Sequence, residues 1–163
     1  MLSKSKTQTQ KIATRLAKKI ISEGTGKNAR VLALVGDLGS GKTAFTGGFI
    51  KAFGIKTHIP SPTFVIYRRY PIKHSRSNVS CQMFSNVFHF DLYRIQKPKE
   101  IIDLDFSAGG GPAYGWKKLM ANPENIVLIE WPEKILKYLP KNTIVVKFKH
   151  GKKVNERMVV IEN

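Results

Sequence analysis

Apolar and polar positions change period along this chain, and each period predicts an element. Between residues 7 and 23, Ile12, Leu16 and Ile20 recur at helical spacing together with Ala13 and Ala17. Lys11, Arg15, Lys18 and Lys19 fall on the opposite side, so the stretch predicts an amphipathic helix with Thr7 or Thr9 as its cap. Its basic face has two readings, a solvated surface or an RNA contact. Gly24-Thr25-Gly26-Lys27 stops it. Val31-Leu32-Ala33-Leu34-Val35 is apolar without a break, the pattern of a strand buried on both faces of a parallel sheet. After a Gly-rich turn, residues 42–53 place Phe45, Phe49, Ile50 and Phe53 on one face of a second helix, ended by Gly54.

Ile59-Pro60-Ser61-Pro62-Thr63-Phe64 cannot continue a helix, because prolines flank Ser61 and stiffen the loop. Residues 64–70 predict a strand and 73–85 a polar, basic hairpin loop. Val87-Phe88-His89-Phe90 predicts a short strand that runs directly into Asp91. Pro98 opens a short helix over 98–106, the run from Gly109 to Pro112 breaks it, and 113–121 predict another. Ile126-Val127-Leu128-Ile129 is a further buried strand, closed by Glu130-Trp131-Pro132-Glu133. Pro132 and Pro140 bracket a short helix. Alternation over 143–149 and 156–162 predicts a terminal hairpin.

Charge alters this picture more than composition does. Hydrophobic residues at 42% and charged residues at 24% are ordinary for a globular domain able to bury a core. Lys and Arg number 28 against 11 Asp and Glu, a net charge of +17. Such a field favours polyanionic partners, RNA or an acidic protein surface; a general lysine bias explains it equally, since the lysines are scattered. A single cysteine, Cys81, excludes an intramolecular disulfide and a cysteine-based metal site. His58, His74, His89 and His150 lack ligand spacing, and no zinc site is expected. No apolar run approaches ~18 residues, and the stretch from Met1 to Lys11 lacks the apolar core of a signal peptide. The expectation is no membrane contact and a cytoplasmic location.

The candidate chemistry begins at Gly36-Asp37-Leu38-Gly39-Ser40-Gly41-Lys42-Thr43, which matches the phosphate-binding pattern G-x-x-x-x-G-K-[ST]. Glycines let the turn curl so that successive N–H groups form a concave nest for anionic oxygens, and the helix N-terminus that follows adds a favourable dipole. Lys42 would reach the β- and γ-phosphates of a nucleoside triphosphate while the Thr43 hydroxyl would ligate Mg²⁺. The Ser61–Thr63 loop sits where such proteins often keep a γ-phosphate-sensing switch. Asp91 closes a strand, where a Mg²⁺-organising carboxylate belongs in open α/β sheets; a helix N-cap is the other reading. Glu130 ends an apolar strand in the Walker B manner, with Glu for Asp, and would hold Mg²⁺ or orient the attacking water. The expected fold is α/β: a single P-loop NTPase domain over residues 1–163 with a mixed parallel/antiparallel central sheet and short flanking helices. Residues 1–6 are expected to be disordered, and 73–85 and 107–112 to be mobile loops.

The strings GDLGSGKT, SPTF, FHFDLYR and LIEWPE, in that order, closely resemble the TsaE family of bacterial P-loop ATPases. The resemblance implies an ATPase that uses Mg²⁺, is weak alone, and supports the TsaD–TsaB heterodimer in the N6-threonylcarbamoyladenosine (t6A37) modification of tRNA. Contact with tRNA would be indirect, through the complex. Carried over by residue, Gly36, Asp37, Leu38, Gly39, Ser40, Gly41, Lys42, Thr43 and Ala44 would hold the nucleotide. Ser61 and Thr63 match the switch-like loop, Asp91 and Glu130 the carboxylates, and Trp131 would pack beside the nucleotide. Thr9 aligns with a position near the base. Lys42, Thr63, Asp91 and Glu130 form the expected catalytic set, with Thr43, Asp91 and Glu130 toward the metal. Arg94, Arg68 or Arg69 is a candidate arginine finger, or a partner supplies one. The segment from Lys73 to Ser85 is longer than the family pattern, and Leu104-Asp105-Phe106 with the GGGP loop replaces its leucine-glycine pair. The competing readings are a small P-loop metabolite kinase and a catalytically silent, nucleotide-dependent RNA-binding module.

Overall fold

The unbroken apolar runs become the middle of one seven-stranded sheet. The computed structural model of the chain describes every residue except 61, 63–64, 74–82, 105–114 and 163. Its strands are β1 (Leu2–Ser3), β2 (Arg30–Val35), β3 (Tyr67–Pro71), β4 (Asn86–Asp91), β5 (Asn125–Glu130), β6 (Ile144–His150) and β7 (Arg157–Glu162). Across the sheet they run β1-β7-β6-β2-β5-β4-β3. The central β6, β2, β5 and β4 pair in parallel. Antiparallel pairings add β3 at one edge and β7 with β1 at the other. This is the mixed α/β architecture expected, and strands β4 and β5, polar residues included, are buried along their whole length.

Strand pleating sends alternate residues to opposite faces, and each face builds its own core. On one side α1 (Lys6–Glu23) and α2 (Lys42–Lys51) pack their Ile12, Leu16, Ile20, Phe45 and Phe49, with Phe53 just past α2, against Leu32, Leu34 and Leu128. On the other, α3 (Lys99–Ile102) and α4 (Trp116–Ala121) cover Val31, Phe88, Phe90, Val127 and Ile129. Truncating any one of these buried phenylalanines would cost about 3–5 kcal/mol. The two long helices touch at glycine: a Cβ on Gly48 would lie 2.6 Å from the Gln10 backbone. The Thr14 hydroxyl donates to the Gly48 carbonyl at 3.1 Å and fixes that crossing.

Several expectations give way. Residues 1–6 were expected to be disordered, yet Leu2 and Ser3 pair with Met158 and Arg157. Ser5, not Thr7 or Thr9, caps α1 by accepting from the Gln8 N–H. The edge strand starts at Tyr67 and not at 64, because Val65 turns back onto Pro62 and Ile66 adopts a φ of 66°. Of the mobile loop expected over 73–85, residues 74–82 lie outside the described residues, while Phe84 is fully buried and meets Phe53 edge-on at 5.9 Å, and Ser85 bonds to Ile72 and Glu124. The helix over 98–106 spans only Lys99–Ile102 among the described residues, and the one between Pro132 and Pro140 is a three-residue 3-10 turn, Leu136–Tyr138. The expected loop over 107–112 lies outside the described residues. No helix among them is long and apolar enough to cross a membrane.

Candidate functional site

Parallel strands end together, so the residues just past β2, β4 and β5 converge at one edge of the sheet. Register sets the partners: Glu130 lies opposite Leu34 on one side and Asp91 on the other. The Gly36–Thr43 loop leaves β2 at that edge. Gly36 has a φ of 149°, and a Cβ there would meet the Phe148 carbonyl oxygen at 2.5 Å, so only glycine lets the loop pass β6 so closely. The first helical residue after the turn is Lys42, and α2 therefore aims its N-terminus at the strand ends.

A cavity of about 760 Å³ opens there. The loop supplies Leu38, Gly39, Gly41, Lys42, Thr43 and Ala44, and the strand ends supply Asp91, Tyr93, Glu130 and Trp131. A second wall comes from elements that the motifs do not contain: Ser5 and Thr9 at the start of α1, and Asn155 and Arg157 at the terminal hairpin. Gly36, Asp37 and Ser40 stay off the wall; the first two offer carbonyls to Lys42, and Ser40 is buried. Ser61 and Thr63 lie outside the described residues.

The polar side chains form one connected network. The Thr43 hydroxyl donates to Glu130 Oε2 at 2.9 Å, and the Thr46 hydroxyl donates to Oε1 at 3.2 Å. His89 Nε2 lies 2.8 Å from the same Oε1. Glu130 is only 2% exposed and Asp91 5%, both far more buried than carboxylates usually are. Asp91 Oδ1 accepts from the Tyr93 N–H at 3.1 Å, a local turn that directs the chain out of the sheet while the residue still lines the cavity.

Lys42 folds over its own loop, donating to Gly36 O at 2.6 Å and Asp37 O at 2.9 Å, with its ammonium 3.8 Å from the Trp131 ring centre. Burial pushes the Lys42 ammonium below the ordinary lysine range, opposed by the carboxylates of Glu130, Glu133, Asp91 and Asp37. Trp131 itself takes a φ of 58°, a strained backbone for a large side chain directly before proline.

Thr9 sits deep beside this cavity, bonded to the Ser3 hydroxyl at 2.8 Å and to the Ser5 carbonyl. Of the candidate arginines, Arg68 and Arg69 project from the edge strand and Arg94 is absent from the wall. Among the described residues, Arg157 is the arginine that lines it, reaching Gly39 O at 3.5 Å. Sequence reasoning missed Arg157, His89 and Thr46. The signal available was slight: His89 stands two positions before Asp91, which puts both side chains on one face of β4.

Thr43 Oγ1, Glu130 and Asp91 offer hard oxygen donors around a lysine and an N-terminal helix turn. Among the described residues no cluster of three or more acidic, histidine or cysteine side chains forms a complete metal cage. A hydroxyl with one or two carboxylates fits Mg²⁺, which keeps several waters and completes its octahedron on phosphate oxygens. Fold and loop together define an α/β domain of the P-loop type.

The comparisons with known proteins agree. The family model "Threonylcarbamoyl adenosine biosynthesis protein TsaE" matches residues 3–159. The chain belongs to the TsaE family. It is similar to the tRNA threonylcarbamoyladenosine biosynthesis protein TsaE of Rickettsia felis, with 36% identity over 133 residues, covering 81% of this chain and 61% of the relative. Against the proteins of that name from Haemophilus influenzae and Bacillus subtilis it shows 34% and 31% identity, covering 74% and 77% of this chain and 63% and 65% of theirs. The chain thus spans less than two thirds of the length of these relatives. The crystal structure of Bacillus subtilis YdiB superposes with a TM-score of 0.61 at 23% identity, covering 98% of this chain and 80% of that one, and shares the fold.

Proposed function

We propose that this protein binds ATP with Mg²⁺ in the cavity between loop and strand ends, hydrolyses it, and so supports a TsaD–TsaB complex in the t6A37 modification of tRNA. The observation that carries the reading is the 2.9 Å bond between Thr43 and Glu130. It joins the hydroxyl that follows the loop lysine to a buried carboxylate 87 residues away, a pair of oxygen donors that would suit a phosphate-bound Mg²⁺. The N–H groups of the loop and the N-terminus of α2 would receive the phosphates. Lys42 would leave its loop carbonyls for the β- and γ-phosphates. Thr43 and Glu130, with Asp91 directly or through water, would hold Mg²⁺, which supplies charge neutralisation at the phosphoryl group when bound. Glu130 would also orient the attacking water. Ser61 and Thr63 are assigned the switch role by resemblance, and Trp131 and Thr9 the flanks of the nucleotide.

The name shared by the relatives, tRNA threonylcarbamoyladenosine biosynthesis protein, supports the pathway. The test is ATP hydrolysis by the purified protein with Mg²⁺, alone and with its cognate TsaD–TsaB pair. Slow turnover alone and clear stimulation by the pair are expected, with Glu130→Ala still binding ATP but failing to turn it over. Absence of stimulation would count against the partner assignment, and full activity of Glu130→Ala against the site. Stoichiometric phosphate transfer to an added metabolite would replace the reading by a kinase. Tight, salt-sensitive tRNA binding with no ATPase would replace it by an RNA-binding module.

A further inference from the structure

The two oxygens of Glu130 have unequal surroundings. Oε2 faces the cavity side and accepts from Thr43 at 2.9 Å. Oε1 points into the protein, where it accepts from Thr46 at 3.2 Å and lies 2.8 Å from His89 Nε2. His89 is fully buried and is not part of the cavity wall. Among the described residues its buried Nδ1 has no hydrogen-bond partner, so Nε2 is the ring's polar contact. A carboxylate at 2% exposure needs donors, since a buried anion left without them is costly. An imidazole N–H supplies one with little freedom, because the ring is wedged in a strand that is buried at every position.

We propose that His89 is a positioning residue for the site: its Nε2–H donates to Glu130 Oε1 and, with Thr46, pins that oxygen inside the protein, so that Oε2 is the oxygen presented to Thr43 and to Mg²⁺. The proposal rests on the Mg²⁺-nucleotide reading above and assigns a duty that the four motifs leave unassigned. Its geometry follows from strand register. Asp91 is opposite Glu130, and His89 is two positions earlier on β4, facing the same way. The acidic end of β4 therefore meets the cavity while the imidazole reaches Glu130 from behind. An imidazole in this place acts on the metal through the carboxylate, as outer partners of metal ligands commonly do, and leaves the oxygen-only ligand set that Mg²⁺ prefers intact.

The experiment compares wild type, His89→Leu and His89→Gln, using Mn²⁺ as the probe. Mn²⁺ affinity of the ADP-saturated protein is read by electron paramagnetic resonance, and ADP affinity in EDTA by calorimetry. His89→Leu is expected to weaken Mn²⁺ binding about 10–100-fold with metal-free ADP affinity unchanged. His89→Gln, whose amide can still donate to Oε1, should recover most of the loss. Unaltered Mn²⁺ affinity in His89→Leu overturns the proposal. So does an equal loss of Mn²⁺ and metal-free ADP binding in both variants, which marks a merely structural histidine. Should His89→Leu not fold by circular dichroism, His89→Asn, whose amide is too short to reach Oε1, takes its place with the same two outcomes. A wild type that binds no ADP fails differently: it removes the nucleotide reading, and this proposal with it.

Discussion

The Lys42 ammonium stands 3.8 Å above the centre of the Trp131 ring, joining the Gly-rich loop to the end of β5. The ring is held there by a backbone at φ 58°, with Tyr93 packed on it at 5.0 Å between centroids. Such a backbone conformation costs on the order of 1–3 kcal/mol, and a desolvated cation–π contact returns about 2 kcal/mol or more. The ammonium has three N–H donors and gives two to the Gly36 and Asp37 carbonyls, so neutralising a phosphate would draw it away from the ring.

Nucleotide binding should therefore change the emission of Trp131. A titration of ATP with Mg²⁺ into wild type is expected to shift tryptophan fluorescence, and Trp131→Phe should abolish the shift while Trp116, buried against Phe90, stays constant. A shift that survives in Trp131→Phe would assign it elsewhere.

Lys42 also links the site to stability. Burial lowers its affinity for protons in the folded state below that of an ordinary lysine at 10.5. Between the lowered value and 10.5 the unfolded chain binds more protons there, so the Lys42 contribution to stability rises with pH across that window and is lost as pH falls through the folded value. Lys42→Met should be at least as stable as wild type near pH ~7 in urea denaturation. The gap should close as pH approaches 10.5. A destabilised Lys42→Met at neutral pH would show that the loop bonds outweigh the burial of the charge.

Arg157 supplies positive charge to the cavity from the last strand. Its present partners are backbone carbonyls, Val154 at 3.0 Å and Gly39 at 3.5 Å, which a phosphate or a base edge outcompetes easily. Arg157→Ala is expected to weaken ATP binding about tenfold, ~1.4 kcal/mol, in calorimetry, with a melting temperature within a few degrees of wild type. Unchanged affinity would leave Arg157 as a wall residue only.

The neighbours Gly47 and Gly48 should respond oppositely to alanine. A Cβ on Gly47 meets nothing within 4 Å among the described residues, so Gly47→Ala gains the helix preference of alanine, about 0.5–1 kcal/mol. A Cβ on Gly48 collides with the Gln10 backbone at 2.6 Å, and Gly48→Ala should cost about 1–3 kcal/mol. Thermal melts of the two variants decide this; equal shifts would mean that α1 and α2 can separate without penalty.

Much of this protein was legible locally. The apolar runs around Leu32, Phe88 and Leu128 specify strands because a strand buried on both faces takes apolar residues at most positions, its few polar ones being held by partners as His89 and Glu130 are, and Gly36–Thr43 specifies its loop because each residue there serves its own turn. The chain order of GDLGSGKT, SPTF, FHFDLYR and LIEWPE was enough to name the family. Boundaries were less legible. Ser5 displaced Thr7 and Thr9 as cap because Thr9 is drawn to Ser3 and the site, and Phe84 left its expected loop for the ring of Phe53.

What the sequence could not decide is which distant residues stand behind the motif. His89 meets Glu130 across 41 positions, Thr46 across 84, and Arg157 meets Gly39 across 118. Those contacts depend on the register of β4 against β5, on the rotation of α2 against the sheet, and on the closing of the β6–β7 hairpin over the loop. Such relationships are set by long-range packing, which no local period records. The linear chain determined the loop and the ends of the strands; only the folded sheet decided that Glu130 is held from behind by an imidazole and that the cavity carries an arginine of its own.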